Sequence, residues 1–203
     1  MLRLFAVLVL SGASVQADIT YYFGGTLSSA FGTIPAGTPF NGSFSYAYPQ
    51  LPTDIIDRYP YMQFAEYILH DLNFSIGSEQ FRLFNGSGEV HMRVGNKAVY
   101  GPYFEKDVFQ IWTETYSGGL GGEFFSLFRL DLTEDNGLAF SSTSLPSGNM
   151  RVEHFTTASI SFGSYFGPYS GGNLTYLIPE PSSLSLLLAG GAVLMAGRRR
   201  SFK

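Results

Sequence analysis

Glu105, Asp107, Glu114 and Glu123 flank the aromatic run "VFQIW" (residues 108–112), and carboxylates beside aromatic rings are the raw material of sugar chemistry. A glycosidase needs two carboxyl groups at a set separation, roughly 5–10 Å depending on mechanism. No spacing in this chain fixes such a pair. Trp112, the only tryptophan, and the 13 tyrosines could stack on sugar rings. Sandwich cores also favour a buried tryptophan, and core packing is the expectation for Trp112.

Other chemistry is sparse. His70, His91 and His154 stand singly, which suits side chains on strand faces better than a triad or a three-histidine metal site. The nucleophile elbow G-x-S-x-G, the zinc helix H-E-x-x-H and both glycine-rich phosphate motifs are absent. "DLTEDNG" (Asp131–Gly137) has the flavour of a calcium loop, but Asn136 stands where glycine is wanted and Ser142 where a bidentate Glu is wanted. "EDNG" reads more simply as a hairpin turn. Asp54 and Asp57 in "TDIID" could meet a metal, although a solvated loop is the plainer reading. With no cysteine there is neither a disulfide nor a thiolate site, and no cofactor is expected. The N-x-[ST] sites at Asn41, Asn73, Asn85 and Asn173 read as incidental.

The elements that would position any of these residues begin after an N-terminal leader. Met1 to Arg3 is a short basic start, "LFAVLVL" an apolar run, and "SGASVQA" a small-residue stretch ending at Ala17. That is the form of a secretory signal peptide, too short to span about 30 Å of hydrocarbon. Cleavage is expected after Ala17, leaving Asp18 as the first mature residue. The body, residues 18–178, then holds 161 residues with 7 Lys+Arg and 15 Asp+Glu, a formal −8. So acidic a body argues against DNA or RNA, whose phosphates need clustered cations.

Within the body, apolar residues recur at every second position, the mark of half-buried strands. Phe40, Phe44, Tyr46 and Tyr48 share one face of "FNGSFSYAY"; Leu72, Phe74 and Ile76 share one face of "DLNFSI". Val90, Met92 and Val94 alternate with His91 and Arg93, and Ala158, Ile160 and Phe162 with Ser159 and Ser161. Leu174, Tyr176 and Ile178 are expected together, opposite Thr175 and Leu177. "NGSG", "GN" (Gly95-Asn96), "SGGLGG", "EDNG" and "PSGN" read as turns between these runs. "YMQFAEYIL" (Tyr61–Leu69) could be helix or strand. About eight to ten short strands make an all-β, antiparallel β-sandwich, with the jelly roll as one form it could take.

The C-terminus carries the strongest signal. Pro179-Glu180-Pro181 is followed by a glycine-interrupted apolar segment, residues 184–197, and then by Arg198-Arg199-Arg200. As a helix the segment would reach about 21 Å, a marginal transmembrane span, and the arginines would keep the extreme C-terminus cytoplasmic. The prolines should hold their surroundings extended, beyond a last strand ending near Ile178. These three ordered parts resemble the PEP-CTERM sorting signal of bacterial exported proteins. The resemblance implies processing by an exosortase-type enzyme in the inner membrane, in bacteria that make extracellular polysaccharide. It covers residues 179–203 and implies nothing about the body. The expectation is an exported, non-catalytic, structural or adhesive protein of the cell surface or matrix, associated with polysaccharide. A carbohydrate-active enzyme and a calcium-stabilised lectin-like module are the alternatives.

Overall fold

The computed structural model describes residues 17–58, 62–84, 90–99, 105–113, 118–120, 123–125, 127–163 and 169–180. Residues 1–16, Pro181, the apolar segment 184–197 and Arg198–Arg200 lie outside them. No helix among the described residues is long and apolar enough to cross a membrane.

The body is all-β and antiparallel. In chain order the strands are β1 (Ala17–Leu27), β2 (Pro39–Tyr48), β3 (Asp54–Arg58), β4 (Met62–Ile68), β5 (Asp71–Ile76), β6 (Glu79–Phe84) and β7 (Val90–Val99). After them come β8 (Glu105–Thr113), β9 (Gly118–Leu120), β10 (Glu123–Phe125), β11 (Leu127–Glu134), β12 (Thr157–Gly163) and β13 (Tyr169–Pro179). Eleven of them form one hydrogen-bonded sheet in the order β3-β4-β7-β8-β11-β12-β13-β1-β2-β5-β6, while β9 and β10 pair separately.

That single sheet curls over itself. Phe44 on β2 and Phe109 on β8 are five strands apart along the ladder, roughly 24 Å in a flat sheet at ~4.8 Å per strand. Their ring centroids nevertheless lie 5.5 Å apart. Phe74 on β5 meets Phe128 on β11 at 4.9 Å in the same way. The two layers of a sandwich are therefore halves of one sheet, closed around an aromatic core in which Tyr21, Phe23, Phe44, Phe109 and Phe162 are almost wholly buried. Phe40 finds room because Gly25 and Gly172 lie against its ring, where a Cβ would collide.

Both open ends are stoppered. At the end where β1 begins, residues 135–156 fold across the core and bury Leu145 and Met150. Three core tyrosines anchor this segment: Tyr46 donates to the Pro146 carbonyl at 2.8 Å, Tyr67 donates to Thr143 at 2.7 Å, and the Tyr21 hydroxyl accepts from the Met150 N–H at 3.2 Å. At the far end Phe31 and Ile34 form a small bridge and are buried, with Phe31 edge-on to Phe162 at 5.3 Å.

Of the two readings open for "YMQFAEYIL", the structure takes the strand, β4. Several other expectations need correcting. Asp54 and Asp57 of "TDIID" lie on edge strand β3 rather than in a solvated loop. Gly95-Asn96 is no turn: β7 runs through it with a bulge between Gly95 and Ala98, where Lys97 adopts φ 50. "EDNG" opens the long stopper segment rather than a tight hairpin. In β13 the register jumps at Thr175, because Gly24 pairs with Tyr176 while Gly25 pairs with Leu174. One extra residue reverses the alternation, so Leu177 is buried while Tyr176 and Ile178 face out.

The last strand also reaches further than expected. Pro179 closes β13 opposite Tyr21, and the Glu180 N–H donates to the Thr20 carbonyl at 2.7 Å. Proline fits because pairing of β12 with β13 stops at Asn173, so the nitrogen of Pro179 faces a side that asks for no donor. Asp18 and Glu180 thus emerge at the same end of adjacent strands.

Candidate functional site

Of the carboxylates flanking "VFQIW", Asp107 is the one whose side chain is described. Asp107 is wholly buried; one oxygen accepts the Lys97 N–H at 2.8 Å and the other the Phe140 N–H at 2.6 Å. It ties the β7 bulge to the stopper segment. Its cross-strand partner Glu134 accepts the Asn136 N–H at 3.0 Å, the Asn136 side-chain amide at 2.9 Å and the Leu138 N–H at 2.7 Å. The Leu138 N–H, more than burial opposes, holds the Glu134 carboxyl below its ordinary value. Asp107 is spent on backbone donors, and Glu134 on backbone donors and the Asn136 amide. Burial pushes the Tyr21, Tyr46 and Tyr67 hydroxyls up, so they act as neutral hydrogen-bonding groups. Glu114 lies outside the described residues.

The histidines stay apart. His70 pairs with Asp18 at 3.1 Å beside the β1 terminus, His154 sits in a 3-10 turn at Val152–His154, and His91 lies on β7. Among the described residues no three metal-binding side chains cluster. Asp54 accepts its neighbour Ile55's N–H at 2.8 Å.

Trp112 is the correction that matters. Phe109 and Ile111 fill the core, so the pleat turns Gln110 and Trp112 to the opposite face of the sheet, where Gln110 is covered by its neighbours and Trp112 is half-buried. There Trp112 stacks on His91 at 4.9 Å and 13°. The Arg93 guanidinium lies 4.7 Å from the Trp112 ring and 4.8 Å from the Phe64 ring. Phe64, Arg93, Trp112 and His91 form an aromatic and cationic column on the outer face of β4, β7 and β8. A polar chain fixes it from the side. Arg93 Nε donates to Gln110 Oε1 at 2.5 Å, Gln110 Nε2 donates to Asp131 Oδ1 at 2.5 Å, and Arg129 Nε pairs with Asp131 Oδ2 at 2.6 Å.

Beside the column lies a groove of about 590 Å³, bordered by Arg93, Gln110, Trp112, Arg129, Ser161 and Tyr169. Its floor follows one row across the sheet, in which Trp112 pairs with Arg129, Arg129 with Ser161, and Ser161 with Gly171. An aromatic wall, a cation, a hydroxyl and a missing side chain follow one another at ~4.8 Å steps. Tyr169, 58 % exposed, stands two residues along β13 as the second aromatic. From Glu180 to Gly171 along β13 is roughly 30 Å at ~3.3 Å per residue, so the groove lies at the end of the strands away from Asp18 and Glu180. A second, shallower hollow of about 490 Å³ on the opposite half is bordered by Tyr22, Asn41, Ser43, Asn73, Ser75 and Gln80.

Sequence reasoning raises Trp112 but not Arg93, Gln110, Arg129 or Ser161. The signal was present: in "HMRV", "FQIW" and "FRLD" the residues between core positions are His91, Arg93, Gln110, Trp112, Arg129 and Asp131. Only the strand order shows that they are neighbours. Comparison of the chain with family models, with curated proteins and with solved structures found no match.

Proposed function

We propose that this is an exported, non-catalytic protein of the cell surface or extracellular matrix that associates with polysaccharide through the outer groove. The observation that carries the reading is Trp112 on the outer face, held beside a groove that offers rings, guanidiniums and a hydroxyl together. Sugar recognition needs such a mixture, with apolar rings for C–H faces and planar donors for hydroxyls. The donors already held by Asp107 and Glu134 count against these two carboxylates as a catalytic pair or a calcium site.

Sorting is the second half of the proposal. A signal peptide ending at Ala17 would release the chain at the first residues of β1. The Pro179-Glu180-Pro181 signal, read by an exosortase-type enzyme, would leave from the neighbouring strand, with residues 184–197 in the inner membrane and Arg198–Arg200 in the cytoplasm. With both ends on the membrane side, the groove would face outward on a β-sandwich-like body.

The test is to replace Pro179-Glu180-Pro181 with three alanines and follow the C-terminal peptide by mass spectrometry in membrane and surface fractions. Wild-type surface protein should lack residues 184–203, while the variant should stay in the membrane with them attached. Arg198–Arg200 still present on wild-type surface protein would contradict the sorting half. Sedimentation of the surface form with the producing cell's own polysaccharide, lost in Trp112→Ala, tests the binding half.

A further inference from the structure

We infer that the groove takes an acidic polysaccharide, one carrying ring carboxylates of the uronic acid kind, rather than a neutral one. This rests on the polysaccharide reading and narrows it.

Charge at the groove runs against that of the body. The body holds 7 Lys+Arg against 15 Asp+Glu, yet the described residues bordering the groove include two arginines, Arg93 and Arg129, and no carboxylate.

Their attachment points the same way. Each guanidinium is held by its Nε: Arg93 by Gln110 Oε1 and Arg129 by Asp131. A guanidinium carries five N–H donors in a planar fork. Fixing the Nε edge leaves the terminal nitrogens, which no described residue takes up, as a preset two-pronged donor for a carboxylate. Rings clamp Arg93 from Phe64 and Trp112 as well, so little side-chain entropy remains to be lost on binding. Asp131 neutralises part of Arg129's charge but sits behind the row and does not border the groove.

Geometry favours a sugar chain over other polyanions. Trp112 on β8 stands between Arg93 on β7 and Arg129 on β11, and Ser161, Gly171 and Tyr169 follow beyond Arg129. This alternation of cations, ring face and hydroxyl matches a ligand that alternates carboxylates with apolar ring faces and hydroxyls. A nucleic acid would present a denser row of phosphates to two cations only, and the −8 body would repel the remainder.

The experiment uses the purified surface form in native gels cast with polygalacturonate, with dextran, or with polyglutamate, which has carboxylates but no rings. Retardation is expected in polygalacturonate alone. It should weaken at least about tenfold in Arg129→Gln, the scale of a lost charge-assisted bond, and by less, but measurably, in Trp112→Phe, which keeps a smaller ring. Arg129 is on the surface, and an unchanged melting temperature would show that the variant folds. Equal retardation in dextran would overturn the acidic assignment and leave the polysaccharide reading standing. Equal retardation in polyglutamate would overturn recognition of the sugar rings. Retardation in neither polysaccharide would overturn both readings, and an Arg129→Gln variant retarded like wild type would move the site elsewhere.

Discussion

The guanidinium of Arg93 lies 4.7 Å from the ring of Trp112, on the outside of the sheet, with Phe64 4.8 Å away. A cation between two rings is stabilised by both, on the order of 1–2 kcal/mol for a partly desolvated pair. Arg93→Ala should therefore lower stability by about 1 kcal/mol or slightly more. Arg93→Lys should recover only part of it, because an ammonium cannot stack as a plane. Urea unfolding of the three proteins checks this; identical midpoints would mean that the column contributes nothing to folding.

Asp107 joins the β7 bulge to the stopper over the core. Asp107→Ala would remove the acceptor from the part-buried N–H groups of Lys97 and Phe140, at about 1–3 kcal/mol each. A loss of roughly 2–5 kcal/mol is expected, with Met150 and Phe140 exchanging their amide protons faster. Hydrogen exchange that quickens everywhere alike would argue that the clamp is not local.

Glu134 gives stability a direction in pH. Its folded carboxyl is held below the ordinary value of 4.5, chiefly by the Leu138 N–H. Its contribution is therefore complete above the unfolded value and is lost as pH falls from there through the folded one. Glu134→Gln should be less stable than wild type at pH 7 and should lose less stability on acidification below about pH 4.5. Parallel stability curves for the two proteins would contradict this.

Gly172 sits where β13 crosses β1. A methyl group there would run into the Thr26 carbonyl and the Phe40 ring, so backbone has to move. Gly172→Ala should destabilise by about 2 kcal/mol or more. By contrast Gly37→Ala meets no atom and is strained only by its φ of 81, at about 1–2 kcal/mol. Thermal melts of the pair give the comparison.

Much of the fold could be read from alternation alone. β5 buries Leu72, Phe74 and Ile76 and turns Asp71, Asn73 and Ser75 outward, as its sequence says. Alternation fails where a residue is inserted. Thr175 reverses β13, and Lys97, held by Asp107, carries β7 through what looks like a turn; neither bulge has a composition of its own. Trp112 was misplaced for a related reason. "VFQIW" is apolar at four of five positions, so the phase is set by what Phe109 and Ile111 meet across the core. The groove was hidden further still, since Arg93, Trp112 and Arg129 come from three strands whose adjacency depends on long-range pairing. The pairing of Glu180 with Thr20 likewise depends on where β12 stops, which no local pattern records.

Trp112 is the only tryptophan in the chain, so its emission reports from the groove alone. The most direct measurement is its fluorescence as the surface form is titrated with trigalacturonate and with a neutral trisaccharide. The account expects a saturable change in emission with the acidic sugar, absent in Arg129→Gln. Emission that stays constant through millimolar trigalacturonate, or that changes equally in wild type and Arg129→Gln, would contradict it.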